Sequence, residues 1–142
     1  MHAVCLALLL LTADDPARWP GFLGASATTP VADVLPLTWT PTTNIAWKAD
    51  LPGHGQSSPV VWGDRIFVTS GDGKTGKRIV VCVSAVDGKV LWQREFDSAK
   101  YKMHQRNSVA TSTPTVDAEL LYLSWATPGD YTVQALDHEG KE

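Results

Sequence analysis

Short apolar runs separated by turn residues dominate the chain after residue 30. The segment SSPVVWGDRIFVTS breaks at Gly63-Asp64, and RIVVCVSAVDGKVLWQREF breaks at Asp87-Gly88. An Asp-Gly step between apolar runs, as at Asp87-Gly88, is typical of a hairpin, because both residue types tolerate the positive φ that tight turns require. No sustained helical period of apolar positions interrupts this region. The pattern therefore predicts antiparallel β-meanders.

The same order of runs then repeats in TSTPTVDAELLYLSW and YTVQALDHEGKE. The motif Ser58-Pro59-Val60 corresponds to Thr113-Pro114-Thr115, Gly88-Lys89 corresponds to Gly140-Lys141, and Trp47 corresponds to Trp92. Units of roughly 40–50 residues with four strands each are typical of propeller blades. The sequence therefore predicts an all-β fold, a β-propeller of four-stranded antiparallel blades of which about two are present.

The predicted meander also sorts the connections onto two faces. Tight turns at 63–64, 87–88, 117–118 and 138–139 fall on one face, whereas longer loops at 52–56, 71–77, 97–107 and 126–130 fall on the other. Loops on a rigid scaffold carry most binding functions. The candidate functional face therefore contains His54, Gln56, Lys74, Lys77, Tyr101, His104, Gln105, Arg106 and Asn107. The alternative for each residue is a solvated loop that caps blade edges.

The N-terminus has a different character. Residues 3–12 read AVCLALLLLT without a charge, which is too short for a bilayer span and typical of a signal-peptide core. We therefore predict a signal peptide at 1–13, an N-terminal extension at 14–44 and repeats at 45–142. The protein is expected to be periplasmic or otherwise exported. The alternative is a buried apolar strand or helix, since no Lys or Arg precedes the run.

Composition places the chain among ordinary globular proteins. Its 142 residues are 44% hydrophobic and 19% charged, with a net charge of -3. This slight acidity gives no electrostatic reason to expect nucleic acid as a partner, and no transmembrane segment is predicted. Without the signal peptide Cys82 is the only cysteine, and its apolar surroundings favour a buried hydrophobe over a reactive thiol.

Candidate chemistry is sparse. Residues 71–78, GDGKTGKR, match the start of a phosphate-binding loop, but Arg78 replaces the required Ser or Thr and a strand-like run follows. The sequence contains no Cys-Cys pair, and its histidines lack zinc-ligand spacing. We therefore predict no catalytic residue and no metal site, and no cofactor is evident.

Several stretches resemble one bacterial repeat family. WPGFLG, IAWKADLPGHGQSSPVVWGDRIFVTS, SAVDGKVLWQREF and NSVATSTPTVD are similar to the PQQ-like β-propellers, which are named for pyrroloquinoline quinone. Their recurring Ala-x-Asp-x-x-Gly-x-x-x-Trp phrase has a compact form here, from Ala85 through Asp87 and Gly88 to Trp92. The resemblance spans residues 18–142. It implies that Trp47 and Trp92 dock neighbouring blades and that Asp87-Gly88 is a turn.

The resemblance also frames the function. The family includes quinone-dependent dehydrogenases and non-catalytic outer-membrane assembly factors, and its rings need four to eight blades. The chain is therefore expected to be an N-terminal fragment of an exported member, acting as a non-catalytic binding or assembly scaffold in the bacterial cell envelope. Its partner would be a protein or a small ligand on the long-loop face. The alternatives are part of a PQQ-dependent quinoprotein dehydrogenase, which would hold PQQ with calcium, and a repeat protein that is not exported and has no ligand.

Overall fold

Eight antiparallel β-strands form two sheets in the computed structural model, which describes residues 17–24 and 36–142. The first sheet contains β1 (Arg18–Trp19), β2 (Val60–Trp62), β3 (Arg65–Gly71), β4 (Arg78–Ser84) and β5 (Val90–Phe96). The second contains β6 (Thr115–Val116), β7 (Leu120–Thr127) and β8 (Asp130–Asp137). None of the described residues lies in a helix, and the predicted signal peptide lies outside them. The all-β prediction is confirmed, and the sheets are consecutive parts of a β-propeller.

Strand β4 forms the centre of the first sheet and is covered on both faces. Val80 and Cys82 point into the core between the two sheets, whereas Ile79, Val81 and Val83 pack on the opposite face against Trp47 and Ala49. A strand buried on both sides needs no polar positions, which explains the continuous apolar run IVVCV.

The main core lies between the sheets. Phe67 of the first sheet and Leu121, Leu123 and Leu136 of the second are buried in one cluster. In the second sheet the opposite face is open, with Tyr131 66% and Val133 69% exposed. The second sheet is therefore buried on one side only in the described structure, and its open face carries apolar side chains.

Strand β1 was not predicted, because it falls inside the segment assigned as an N-terminal extension. It pairs with β2 through Arg18↔Trp62 and Trp19↔Val61. The carbonyl of Ala17 accepts a hydrogen bond from the Gly63 amide (2.8 Å). A strand of two residues is too short to show an alternation of apolar and polar positions. Its strand conformation therefore results from pairing with β2. The first sheet consequently has five strands rather than the four of the predicted blade.

The loop predicted at 126–130 is wrong. Strand β7 continues through Thr127 and β8 begins at Asp130, so only Pro128 and Gly129 connect them. Proline fixes φ near the value of the first turn position, and Gly129 adopts φ 90° at the second, as a type II turn requires. The polar residues on either side, Thr127 and Asp130, belong to the strands.

A tryptophan packs on a turn glycine at two places. The Trp47 indole donates to the Ala85 carbonyl (2.9 Å), and a Cβ built on Gly88 would lie 2.5 Å from its ring. Similarly, the Trp92 indole donates to the His138 carbonyl (2.8 Å), and a Cβ on Gly140 would lie 2.9 Å from its ring. The second contact joins β5 to the turn that follows β8, so it links the two sheets.

The two turns differ in length by one residue. The Ser84 amide bonds the Lys89 carbonyl (2.8 Å) in the first turn, and the Asp137 amide bonds the Lys141 carbonyl (2.8 Å) in the second. Asp137 therefore corresponds to Ser84, not to Asp87 as the repeated letters suggest. Side chains of both equivalent residues accept hydrogen bonds from amides of their own turns.

We predict that Gly88→Ala destabilises the protein by about 1–3 kcal/mol more than Gly129→Ala. Both glycines have positive φ, 74° and 90°, so both substitutions strain the backbone. Only at Gly88 does the new methyl group collide with an indole, because nothing lies within 4 Å at Gly129. Urea unfolding of the two variants measures the difference. Equal losses would show that the indole contact does not constrain this turn.

A second prediction concerns Asp87, whose pKa is lowered from 3.8 to about 2 by hydrogen bonds to Lys89 and Ser84. A carboxyl whose pKa is lowered in the folded state stabilises the fold at pH values above its unfolded-state pKa. This stabilisation disappears as the pH falls through the folded-state pKa. Asp87→Asn should therefore flatten the fall in unfolding free energy from pH 4 to pH 2, measured by urea titration. Asp50→Asn, which also removes one exposed carboxylate, controls for the change in net charge. An unchanged slope in the Asp87 variant contradicts the prediction.

Candidate functional site

A cleft of about 160 Å³ lies between the two sheets on the long-loop face. Strands β3, β4 and β7 contribute its walls, and the connection between the sheets contributes the rest. Apolar side chains line it from both blades and from the connection, namely Val80, Val109, Leu123 and Trp125. The polar lining comes mainly from hydroxyl and amide groups, and no Asp or Glu is among the lining residues.

Arg78 is the charged residue of the cleft. It begins β4 and is only 5% exposed. Its Nε donates to the Ser98 hydroxyl (3.3 Å), and Nη2 donates to the Ala126 carbonyl (3.3 Å). The described residues give it no ion pair and no hydrogen-bond acceptor for Nη1. In the sequence Arg78 argues only against a phosphate loop, but its position at the start of an apolar run is a signal of a buried arginine.

Ser70 is also buried beside this cleft, with an exposure of 5%. Its hydroxyl has no hydrogen-bond partner among the described residues. Ser70 pairs with Ile79 in the sheet, so strand alternation puts its side chain on the face opposite to Arg78. The hydroxyl therefore does not belong to the same group as the guanidinium.

Two of the predicted loop residues, Tyr101 and Asn107, line the cleft. The Tyr101 hydroxyl donates to the Ala126 carbonyl (3.0 Å), the same oxygen that Arg78 contacts. The Asn107 side-chain oxygen accepts from the Ser108 amide (2.9 Å) and from the Thr111 hydroxyl. These bonds hold the rim of the cleft in place.

Other predicted residues fix the connecting loop instead of lining the cleft. Gln56 donates from Nε2 to the Arg106 carbonyl (3.0 Å), and its amide bonds the Ala110 carbonyl (2.9 Å). The Arg106 amide donates to Nδ1 of His104 (3.2 Å). The side chains of His104, Gln105 and Arg106 are exposed. These three residues therefore form an outward surface on a loop that is tied to the first sheet.

His54, Lys74 and Lys77 line a second, separate depression. Lys77 pairs with Glu95 (3.2 Å), a hydrogen bond that raises the pKa of the lysine. Asp72 closes the loop by accepting from the Lys74 amide (2.8 Å), which lowers the pKa of that carboxyl. Strand β4 follows directly, so this loop lacks the helix that a phosphate loop requires. The predicted set is thus divided between two depressions and a group of residues at the connecting loop that line neither depression.

The described residues offer little for covalent or metal chemistry. Burial raises the pKa of the Cys82 thiol to about 11, so the nucleophilic thiolate is scarce at neutral pH. No group of three or more His, Cys, Asp or Glu side chains that could hold a metal ion lies in the described part of the chain. Within the same residues, no helix is long and apolar enough to cross a membrane.

One protein family matches the chain. The family profile described as outer membrane protein assembly factor BamB, a PQQ-like repeat profile, aligns with residues 39–142. No curated protein and no solved structure matches the chain significantly. The aligned region includes strands β2 to β8 and both tryptophan–glycine contacts. Because the match covers most of the sequence, the chain belongs to the BamB-like family of PQQ-like repeat proteins.

Proposed function

We propose that the protein is an exported, non-catalytic scaffold of the bacterial cell envelope that binds a protein partner through its long-loop face. The observation that carries this proposal is the fixed connecting loop between the sheets. It is hydrogen-bonded through Gln56 to the segment before β2, and through Thr69 to β3, because the Thr69 hydroxyl donates to the Ser112 carbonyl (3.2 Å). Tyr101 ties it to the second sheet. A loop ordered in advance loses less conformational entropy on binding.

The charge of this loop favours an acidic partner. Lys100, Lys102 and Arg106 are exposed on it, and Asp97 is its only carboxylate. The rest of the chain is on balance acidic, since the total net charge is -3. A local basic surface on an acidic protein steers complementary charges to one place. The partner surface should therefore be rich in Asp and Glu.

The cellular location rests on two supports. The family description names an outer-membrane assembly factor, and the apolar segment at 1–13 has the composition of a signal-peptide core.

The exposed apolar face of the second sheet, with Tyr131 and Val133, is a further surface that a neighbouring blade or partner would cover. Together these features support an envelope scaffold.

The quinoprotein alternative has no comparable support in the described residues. Calcium-bound PQQ requires several carboxylate and amide oxygens around the ion. The cleft is lined by no carboxylate, and its one charged residue, Arg78, is a cation. The cleft residues therefore do not fit the calcium ion of that cofactor.

Charge reversal on the loop tests the proposal. We expect Lys100→Glu/Lys102→Glu to reduce partner recovery from a bacterial envelope fraction by at least about tenfold, because the steering charge is inverted. Lys48→Glu/Lys141→Glu, which makes the same charge change at exposed residues near the turn glycines, should leave recovery unchanged. Quantitative cross-linking mass spectrometry measures both. Equal recovery by both variants rejects the loop as the binding surface. Reduction of a dye by the protein after addition of PQQ and calcium would favour the dehydrogenase alternative.

A further inference from the structure

Arg78 is a cation that the described protein buries without a counter-ion. Removing a charge from water is unfavourable unless an opposite charge or a full set of hydrogen bonds replaces the water. Its two hydrogen bonds go to neutral oxygens, those of Ser98 and Ala126. A guanidinium has five N–H donors, so the two on Nη1 and the second on Nη2 remain available. This arrangement suits an acceptor that comes from outside the chain.

The surroundings of Arg78 define the chemistry of that acceptor. The lining residues include no Asp or Glu, so the guanidinium sets the sign of the local charge. The Tyr101 hydroxyl shares the Ala126 carbonyl with Arg78 and therefore lies beside it (3.0 Å to that oxygen). A planar guanidinium in a weakly polar site favours carboxylate or phosphate oxygens. The ligand is therefore an anion.

Size and lining select the class of anion. The cavity volume of about 160 Å³ is close to that of an apolar cavity of about 150 Å³, which accommodates benzene. Val80, Val109, Leu123 and Trp125 supply apolar walls. A dianionic phosphate would bring two charges to one cation and no apolar surface to these walls. A monocarboxylate with a short hydrocarbon body matches both the charge and the walls.

We propose that the cleft between the two sheets is a binding site for a short-chain monocarboxylate, with Arg78 as the residue that contacts the carboxylate. The hydrocarbon body of the ligand lies against Val80, Val109, Leu123 and Trp125. The site borders the exposed basic loop of the proposed function through Tyr101 but depends on Arg78 and not on Lys100 and Lys102, so either proposal can fail while the other holds. The carboxylate belongs either to a free small molecule or to the C-terminus of a peptide.

The test is a titration of the full chain with sodium butyrate at constant ionic strength. Tryptophan fluorescence is the readout, since Trp125 lines the cleft, and the thermal midpoint is the second. We expect saturable binding and a raised midpoint with butyrate, and neither with butyramide, which lacks the charge. N-acetyl-alanyl-valine, compared with its C-terminal amide, distinguishes a peptide terminus from a free small molecule. Identical responses to butyrate and butyramide overturn the proposal without any variant.

Substitutions then locate the site. Arg78→Met keeps the length of the side chain and should weaken butyrate binding at least about tenfold, the loss expected for one charge-assisted hydrogen bond. Arg94→Met is the matched control, because Arg94 also donates to a carbonyl, that of Gly140 (2.7 Å), but lies outside the cleft. Its butyrate affinity should equal that of the wild type. Arg78→Lys, which keeps the charge, should bind butyrate with intermediate affinity. This variant replaces Arg78→Met in the test if the Met variant does not fold. Wild-type affinity in the tested Arg78 variant excludes the cleft as the site.

Discussion

The contact between a tryptophan and a turn glycine is the constraint on which the rest of the structure depends. The side chain of Trp92 projects from β5, packs on Gly140 and donates to the His138 carbonyl. One side chain thus fixes the second sheet against the first. Arg94 and Arg65 add bonds to the same turn, to the Gly140 carbonyl and to Glu139. A large flat ring buries much apolar area at such a joint, and only glycine leaves room for it.

That joint determines where the cleft lies. The Trp92 contact holds the two sheets together at the tight-turn face, beside the buried Phe67 and Leu136. At the opposite face the connection between the sheets is long, and its residues Tyr101 and Val109 line the remaining space instead of closing it. The cleft therefore follows from blade geometry, and Arg78 gives it a charge.

The repeat letters predicted much of this arrangement but misassigned some of its parts. The turn residues and the two tryptophans are visible because glycine and tryptophan have few structural substitutes at these positions. Asp87 and Asp137 look equivalent in the sequence, since each precedes a Gly-Lys turn. The backbone hydrogen bonds of the two turns show instead that Asp137 occupies the position of Ser84. The predicted loop residues share a face, but His54 and Tyr101 line different depressions, because side-chain direction within a loop depends on its tertiary bonds.

The sequence by itself determined the fold class, the strand runs and the glycine positions, since these follow from local backbone preferences and from the period of apolar residues. Only the tertiary structure decided three other features. Arg18–Trp19 became a strand because β2 offered a free edge, which two residues cannot signal locally. Arg78 became buried because the second sheet covers the end of β4. Finally, the hydroxyl and amide groups of the connection became the rim of a cleft, because residues distant in the chain meet only when the blades pack.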